Sequence, residues 1–267
     1  MSVITISRGS YSRGKQIAEE LAQRLGYECI SRDILLETSD HFNIPEVKLI
    51  RAIHDAPSVL DRFSYGKQRY INYIREQFLS RIQHDNVVYH GLAGHFFVQG
   101  ISNIMKVRII ANIEDRVKEE MVREKISESA ARQLLVKDDA ERRKWSMNLY
   151  GIDTKEPELY DIVLHIDSLR LDDTVDILED LAKRPCFQTS SESKQMLQDS
   201  YLAAKAQCMM FETYPAATVK CKSGIAYVNV NTTLTMEVEV SQKVKEILTG
   251  ISEIKDVYVN VVPIDIY

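Results

Sequence analysis

Short apolar runs alternate with longer amphipathic stretches along the first two thirds of the chain. The runs typical of strands are rich in Val and Ile and cover residues 2–7, 86–90, 106–111 and 161–166. Between them, apolar residues recur at helical spacing, as at Ile17, Leu21 and Leu25. Strands separated by helices usually pair in parallel, with helices on both faces of the sheet. The pattern predicts an α/β domain with a three-layer α/β/α arrangement.

The last third has a different order of elements. Its apolar pattern predicts a helix, two strands, a helix and a strand, which is a small α+β (αββαβ) unit. The predicted strands cover residues 218–222, 225–230 and 257–262, and the first helix covers 194–214. A Ser-rich polar stretch at 188–194 follows Arg184-Pro185 and is typical of a boundary between domains. We therefore expect two domains, at residues 1–187 and 194–267.

A glycine-bounded loop follows the first predicted strand and precedes a predicted helix. Gly9, Gly14 and Lys15 have the G-x4-G-K spacing of a phosphate-binding loop (P-loop). In such a loop the backbone N–H groups, the helix N-terminus and the lysine all favour an anion. The predicted phosphate-binding residues are Gly9, Ser10, Tyr11, Ser12, Arg13, Gly14, Lys15 and Gln16. Gln16 stands where the pattern has Ser or Thr; the alternative is a strand–turn–helix without a ligand.

The composition of the chain limits which binding partners and which cellular compartment are expected for the protein. A net charge of −5 gives no overall basic footprint for nucleic acid, and no apolar run approaches the length of a membrane span. The four cysteines are scattered and form no metal-ligand pairs, which is typical of a reduced cytosolic protein. The chain begins directly with a predicted strand, so no signal peptide is visible. We expect a cytoplasmic protein with no nucleic-acid or membrane partner and no protein-bound metal.

Charged residues are dense from residue 115 to residue 150. Arg116, Arg123 and Arg142 are among the basic side chains there, and acidic residues lie between them. One interpretation is a solvated helical hairpin whose charges pair with one another. The other is a lid, since phosphoryl transfer uses several cations that close over the phosphates and exclude water.

Residues 1–185 resemble the cytidylate kinase-like branch of the P-loop nucleoside monophosphate kinases. The matching pieces include residues 4–8, Gly14-Lys15, Arg116, Arg123, Asp139-x-x-Arg142 and residues 160–163. The resemblance implies a P-loop NTPase fold with a helical lid and transfer of the γ-phosphoryl group from ATP, bound with Mg²⁺, to CMP or a related nucleotide.

The same resemblance implies roles for individual residues. Lys15 and the loop would hold the ATP phosphates, and Lys15, Arg116 and Arg123 would be catalytic. Asp139 and Arg142 would bind the acceptor, and Ser31 occupies the acceptor-binding position where the family usually has Asp.

Several positions depart from the family pattern. Tyr11 and Arg13 replace glycines, Leu92 replaces an arginine, and Glu119 stands at another arginine position. These changes keep open a second hypothesis, a catalytically degenerate nucleotide-binding regulatory protein. A third is a structural scaffold assembled through the C-terminal domain. We interpret His90 and His95, near the same site, as structural.

Residues 194–267 resemble a BON domain in the order of their elements. Ser223-Gly224-Ile225 and the Val-rich strands carry the resemblance. It implies binding of a small ligand or a lipid surface, but this segment has no basic cluster to attract anionic lipid. We expect a small ligand or a homo-oligomer contact here. The alternative is a packing appendage.

Overall fold

The computed structural model describes residues 2–9, 13–31, 65–91 and 93–263. The described residues within 1–62 and 84–190 form one compact unit, and those within 63–83 and 191–267 form a second. Ser10, Tyr11, Ser12 and Leu92, which entered the sequence predictions, lie outside the described residues.

The helices and strands alternate through the first unit, as the apolar pattern predicts. The described helices are α1 (Gly14–Leu25), α2 (Gly66–Ile82), α3 (Ile113–Glu124), α4 (Glu128–Tyr150), α5 (Leu171–Ala182), α6 (Ser191–Met210) and α7 (Glu237–Leu248). The described strands are β1 (Val3–Arg8), β2 (Glu28–Ser31), β3 (Val87–His90), β4 (Ile104–Ala111), β5 (Ile162–Ile166), β6 (Thr218–Lys222), β7 (Ile225–Thr232) and β8 (Asp256–Pro263). None of these described helices is both long and apolar enough to cross a membrane.

The first unit is built on a five-stranded sheet in the order β2-β3-β1-β4-β5. Every neighbouring pair in this sheet runs parallel. The central strand β1 is almost fully buried, and α1 and α5 pack their apolar stripes on it through Ile17, Leu21, Val175 and Leu178. The predicted α/β fold class, with a parallel sheet and flanking helices, is therefore confirmed.

The helices α3 and α4 follow β4 and form the predicted charged hairpin. A small apolar contact between Val117, Ala131 and Leu135 joins the two helices. Ser127 caps α4, and its side chain accepts a hydrogen bond from the Ala130 N–H. At the end of α4, Trp145 and Leu149 are buried, and the Tyr150 ring centre lies 5.2 Å from that of Phe96. The position of the hairpin is therefore set by apolar packing as well as by ion pairs.

The second unit contains a three-stranded sheet in the order β6-β7-β8, with α6 and α7 contributing to its core. The order of elements after residue 190 is the predicted αββαβ. The tight β6–β7 turn is held by the Asp199 carboxylate, which accepts hydrogen bonds from the N–H groups of Ser223 (2.7 Å) and Gly224 (3.0 Å). The helix α2 also packs in this unit, where Arg69 forms an ion pair with Glu212 at 3.2 Å.

The close packing of α1 on the end of β1 depends on Gly14, the first residue of α1. A Cβ atom on Gly14 would lie 2.7 Å from the Arg8 Cβ and 2.8 Å from the Arg8 Cδ. The Arg8 Cβ cannot move away freely, because Arg8 is the last residue of β1 and pairs with β4. Glycine at position 14 therefore lets the start of α1 lie directly against the end of the central strand.

We predict that Gly14→Ala destabilises the protein by about 1–3 kcal/mol, the usual cost of forcing a methyl group into a packed site. Urea denaturation of the full chain measures the change in the free energy of unfolding. Gln23→Ala, at an exposed position of α1, is the matched control and should be close to wild type. Equal stability of Gly14→Ala and the control would show that the close approach of Arg8 and Gly14 is not required.

Candidate functional site

A cavity of about 720 Å³ opens in the first unit where β1 and β4 end. Both strands and the α3–α4 hairpin contribute to its wall. The lining residues are Ser7, Arg8, Gly9, Arg108, Ile110, Ala111, Arg116, Val136, Asp139, Ala140, Arg142, Arg143, Lys144, Met147, Thr154 and Lys155. Carboxyl ends of parallel strands are a common location for ligand sites in α/β proteins.

The charge of the cavity wall is strongly positive. Among the described residues that line it, seven are basic and one, Asp139, is acidic. A cleft lined by one sign of charge concentrates ligands of the opposite sign. The cavity is therefore suited to an anion with several charges, such as a phosphate ester.

Arg116 and Asp139 form a two-point ion pair in the wall of this cavity. The two nitrogens of the guanidinium end group of Arg116 donate hydrogen bonds to the two carboxylate oxygens of Asp139, at 2.8 and 3.0 Å. Arg116 lies on α3 and is only 7% exposed, whereas Asp139 lies on α4. Paired bonds of this kind fix the guanidinium plane. The contact therefore aligns the two helices of the hairpin at the cavity.

A hydrogen-bonded group centred on Tyr160 links three residues of the cavity lining, Ser7, Arg108 and Thr154. The Arg108 Nη1 donates to the Tyr160 hydroxyl at 3.1 Å, and the guanidinium carbon of Arg108 lies 5.5 Å from the centre of the Tyr160 ring. The Tyr160 hydroxyl donates to the Thr154 carbonyl oxygen at 2.9 Å and lies 3.2 Å from the Ser7 Oγ. Arg108 is thus attached to a buried aromatic ring whose own position is fixed.

His95 packs behind Tyr160, with the two ring centres 4.8 Å apart. The side chain is 1% exposed, and its Nε2 has no hydrogen-bond partner among the described residues. Burial lowers the pKa of His95 to about 3, with smaller contributions from the positive charges of Arg108 and Lys106. His95 is therefore neutral near pH 7, which supports its interpretation as a structural residue.

The predicted phosphate loop approaches the α3–α4 hairpin through an ion pair. Arg13 precedes α1 with a positive φ of 58°, and its guanidinium donates to the carboxylate of Glu119 on α3. The hydrogen bond to Glu119 raises the pKa of Arg13 above its usual value. Two of the departures from the family pattern, Arg13 and Glu119, are thus in direct contact.

The structure brings only part of the predicted site to the cavity. Gly9, Arg116, Asp139 and Arg142 line it. The other described members of the predicted set lie outside the lining: Arg13, Gly14, Lys15, Gln16, Ser31 and Arg123.

Lys15 and Arg123 are engaged elsewhere on the surface. The Lys15 side chain is 63% exposed, and its Nζ is 3.7 Å from the Glu19 Oε1. Arg123 is paired with Glu120 at 2.5 Å and with Glu124 at 3.2 Å. A role for either residue at a phosphate stays a prediction.

Sequence reasoning missed Arg108 and Lys155, which both line the cavity. Arg108 carried a signal that could have been used, since Lys106 and Arg108 interrupt the otherwise apolar strand β4. Lys106 forms an ion pair with Asp161 at 2.9 Å. A charged residue inside an apolar parallel strand needs either such a partner or a ligand.

The first unit is thus an α/β domain with a five-stranded parallel sheet, flanking helices and a cationic cavity where the strands end. The sequence profile of the cytidylate kinase-like family matches residues 3–168, which is more than half of the chain. The protein therefore belongs to the cytidylate kinase-like family. A search of curated protein sequences gives no match.

Solved structures with a similar fold cover about the same part of the chain. An uncharacterized protein from Eubacterium ventriosum ATCC 27560 is 18% identical, with a TM-score of 0.53 over 69% of this chain and 100% of its own. Shikimate kinase from Bacteroides thetaiotaomicron is 10% identical, with a TM-score of 0.42 over 68% of this chain and 99% of its own. Dephospho-CoA kinase from Campylobacter jejuni is 16% identical, with a TM-score of 0.34 over 68% of this chain and 97% of its own. At 18% identity, the similarity to the Eubacterium ventriosum structure concerns the fold alone.

We predict that the buried neutral state of His95 makes the folded protein acid-sensitive. In the unfolded chain the His95 side chain takes up a proton near pH 6.5, whereas in the folded protein it does so near pH 3. The free energy of unfolding therefore decreases as the pH is lowered from 6.5 towards 3. From pH 7 to pH 5 the contribution is about 2 kcal/mol. Urea denaturation at both pH values measures it.

His95→Gln should reduce this loss of stability between pH 7 and pH 5. His165→Gln, changed at an exposed position of β5, is the control. If His95→Gln retains the full pH dependence of the wild type, burial of a neutral His95 is not its cause.

Proposed function

We propose that this protein is a nucleoside monophosphate kinase, which transfers the γ-phosphoryl group of ATP to CMP or a related nucleotide. The observation that carries the proposal is the strongly cationic cavity at the ends of β1 and β4, in a member of the cytidylate kinase-like family. The regions predicted to bind nucleotide contribute Gly9, Arg116, Asp139 and Arg142 to this one cavity.

The reaction joins an oxygen of the acceptor phosphate to the γ-phosphorus of ATP and breaks the bond from that phosphorus to the β–γ bridging oxygen. The protein's contribution is to hold both groups in line and to stabilise the charge on the transferring group. Arg116, fixed by Asp139, would face the transferring group from α3. Arg142 would reach the acceptor phosphate from α4.

The predicted roles of Lys15 and Arg123 require a change of ion-pair partners. In the structure, Lys15 pairs with Glu19 and Arg123 pairs with Glu120. The Lys15–Glu19 pair is exposed and contributes little to stability, so phosphate can replace the Glu19 carboxylate at small cost. The Glu120 side chain is only 1% exposed, so the exchange at Arg123 costs more, because it takes this partner away from a buried carboxylate. We expect Lys15 and the loop from Gly9 to Gln16 to hold the ATP phosphates after this exchange.

Mg²⁺ enters the proposed reaction as part of the substrate complex with ATP. The described residues contain no group of three or more His, Cys, Asp or Glu side chains arranged to hold a metal ion. Asp139, the acidic residue among the described lining, is already bonded to Arg116 through both oxygens. In this proposal the phosphates supply the main ligands of the ion.

A second candidate is a nucleotide-binding regulatory protein without turnover. The contact between Arg13 and Glu119 favours it, because it places a carboxylate between the predicted phosphate loop and α3. A carboxylate near the transferring group would repel the phosphates and reduce the stabilisation on which the reaction depends.

We further propose a cytoplasmic location and, for residues 194–267, a BON-like role in binding a small ligand or a second copy of the chain. The αββαβ order supports the comparison with BON domains. These assignments are independent of the kinase proposal.

We expect the wild-type protein to release ADP from ATP in the presence of CMP, in a coupled assay that also tests dCMP, UMP and AMP. Arg142→Ala should lower turnover by about 10²-fold, the usual cost of removing one group that stabilises transition-state charge. Arg132→Ala is the control, because Arg132 pairs with Glu114 and lies outside the described cavity lining. Equal turnover of Arg142→Ala and the control would favour the solvated-hairpin interpretation.

We expect Lys15→Ala to weaken ATP binding by about tenfold or more, since a hydrogen bond to a charged group contributes about 1.5–3 kcal/mol. Titration calorimetry measures the ATP affinity of both proteins, and equal melting temperatures of mutant and wild type show that the mutant is folded. Equal ATP affinity of mutant and wild type would contradict the predicted phosphate loop. ATP binding by the wild type without ADP release from any monophosphate would support the regulatory alternative.

A further inference from the structure

We propose that Arg108 binds the phosphate of the acceptor nucleotide and that Tyr160 is the residue that positions it. The identity of the nucleotide rests on the proposed function. The presence of a phosphate site at Arg108 rests only on the geometry of the cavity.

Arg108 differs from Arg116 and Arg143 in the cavity wall because no carboxylate among the described residues pairs with it. Arg116 is paired with Asp139, and Arg143 is paired with Asp153 at 2.7 Å. The described contacts of Arg108 are with the hydroxyl and the ring of Tyr160, and neither is an anion. Its charge is therefore held at the cavity without neutralisation by an acid, which is the condition under which an anionic ligand binds most strongly.

Tyr160 is held so that its hydroxyl presents a lone pair to Arg108. The residue is 8% exposed, and its hydroxyl proton is directed to the Thr154 carbonyl oxygen. The same oxygen then accepts the bond from the Arg108 Nη1. One edge of the guanidinium is fixed in this way, and its remaining N–H donors are available to a ligand.

The environment behind Tyr160 keeps the ring in place without competing for the ligand. His95 packs against the ring and is neutral near pH 7, because its burial lowers the pKa to about 3. A neutral imidazole adds no second cation behind Arg108. Since Tyr160 is not among the described lining residues, it acts on a ligand through the orientation of Arg108.

The shared lining indicates which phosphate is bound. Arg108 lines the same cavity as Asp139 and Arg142, which the family resemblance assigns to the acceptor. Of the residues assigned to ATP, Gly9 also lines the cavity, but Lys15, whose cation would bind the ATP phosphates, is not among the described residues of that lining. The ligand class is therefore a phosphate monoester, whose oxygens match the planar donors of a guanidinium.

The test is calorimetric titration of the full chain with three probes: CMP, cytidine and inorganic phosphate. Arg108→Gln should weaken CMP and phosphate binding by about tenfold or more, the loss expected for a charge-assisted hydrogen bond. Arg108→Lys should recover part of this affinity. Arg132→Gln, which removes the same charge outside the described cavity lining, should match the wild type.

A positioning role for Tyr160 has its own signature. Tyr160→Phe keeps the ring and removes the hydroxyl, and it should weaken CMP binding about threefold while cytidine binding is unchanged. In the Arg108→Gln background the same change should have no further effect on CMP, because residues acting through one contact are not additive. A purely structural role for Tyr160 would instead weaken CMP and cytidine alike in both backgrounds.

The outcomes separate this inference from the proposed function. Phosphate binding that depends on Arg108, without CMP binding, would support the phosphate site and contradict the proposed acceptor. CMP and phosphate affinities that are unchanged in Arg108→Gln would overturn the inference, even in an active kinase. Failure of the wild type to bind either CMP or phosphate would also overturn it.

Discussion

Parallel pairing of β1 with both β3 and β4 is the constraint on which the rest of the first unit depends. Parallel strands end at the same edge of a sheet, so Gly9, Arg108 and the start of α3 are brought together although they are distant in sequence. The close approach of Gly14 to Arg8 then fixes where α1 begins relative to that edge. The cavity is a direct consequence of strand direction, and the hairpin of α3 and α4 adds the charged residues that complete its wall.

The concentration of positive charge at this edge requires partial neutralisation in the absence of a ligand. Asp139 neutralises Arg116, Asp153 neutralises Arg143, and Glu119 holds Arg13. These carboxylates orient the guanidinium groups, and phosphate can replace the exposed ones with little loss of stability. Arg108 is oriented by a neutral partner, Tyr160, which keeps its charge directed to the cavity. The same residues thus explain both the stability of the site and its preference for an anion.

Much of the fold could be predicted from local patterns. The strands and helices of both units follow apolar periodicity, and the G-x4-G-K spacing places a loop at the end of β1. The contact between Arg108 and Tyr160 could not be predicted, because 52 positions separate the two residues and no fixed spacing relates them. The packing of α2 with α6 could not be predicted either, because the apolar face of a helix does not specify which element it packs on. Family resemblance selected Arg116, Asp139 and Arg142, which line one cavity, but it could not show that Lys15 and Arg123 pair with nearby acids.

The central claim is that the cavity receives an acceptor phosphate for transfer from ATP. A single-turnover reaction of the protein with ATP labelled in the γ-phosphate and with CMP tests it most directly, because the position of the label is followed by separation of the nucleotides. We expect the label to appear in CDP in the same amount as the ADP formed, and we expect both to depend on Arg142. Label that appears only as inorganic phosphate, or that stays in ATP with every nucleoside monophosphate tried, would contradict it.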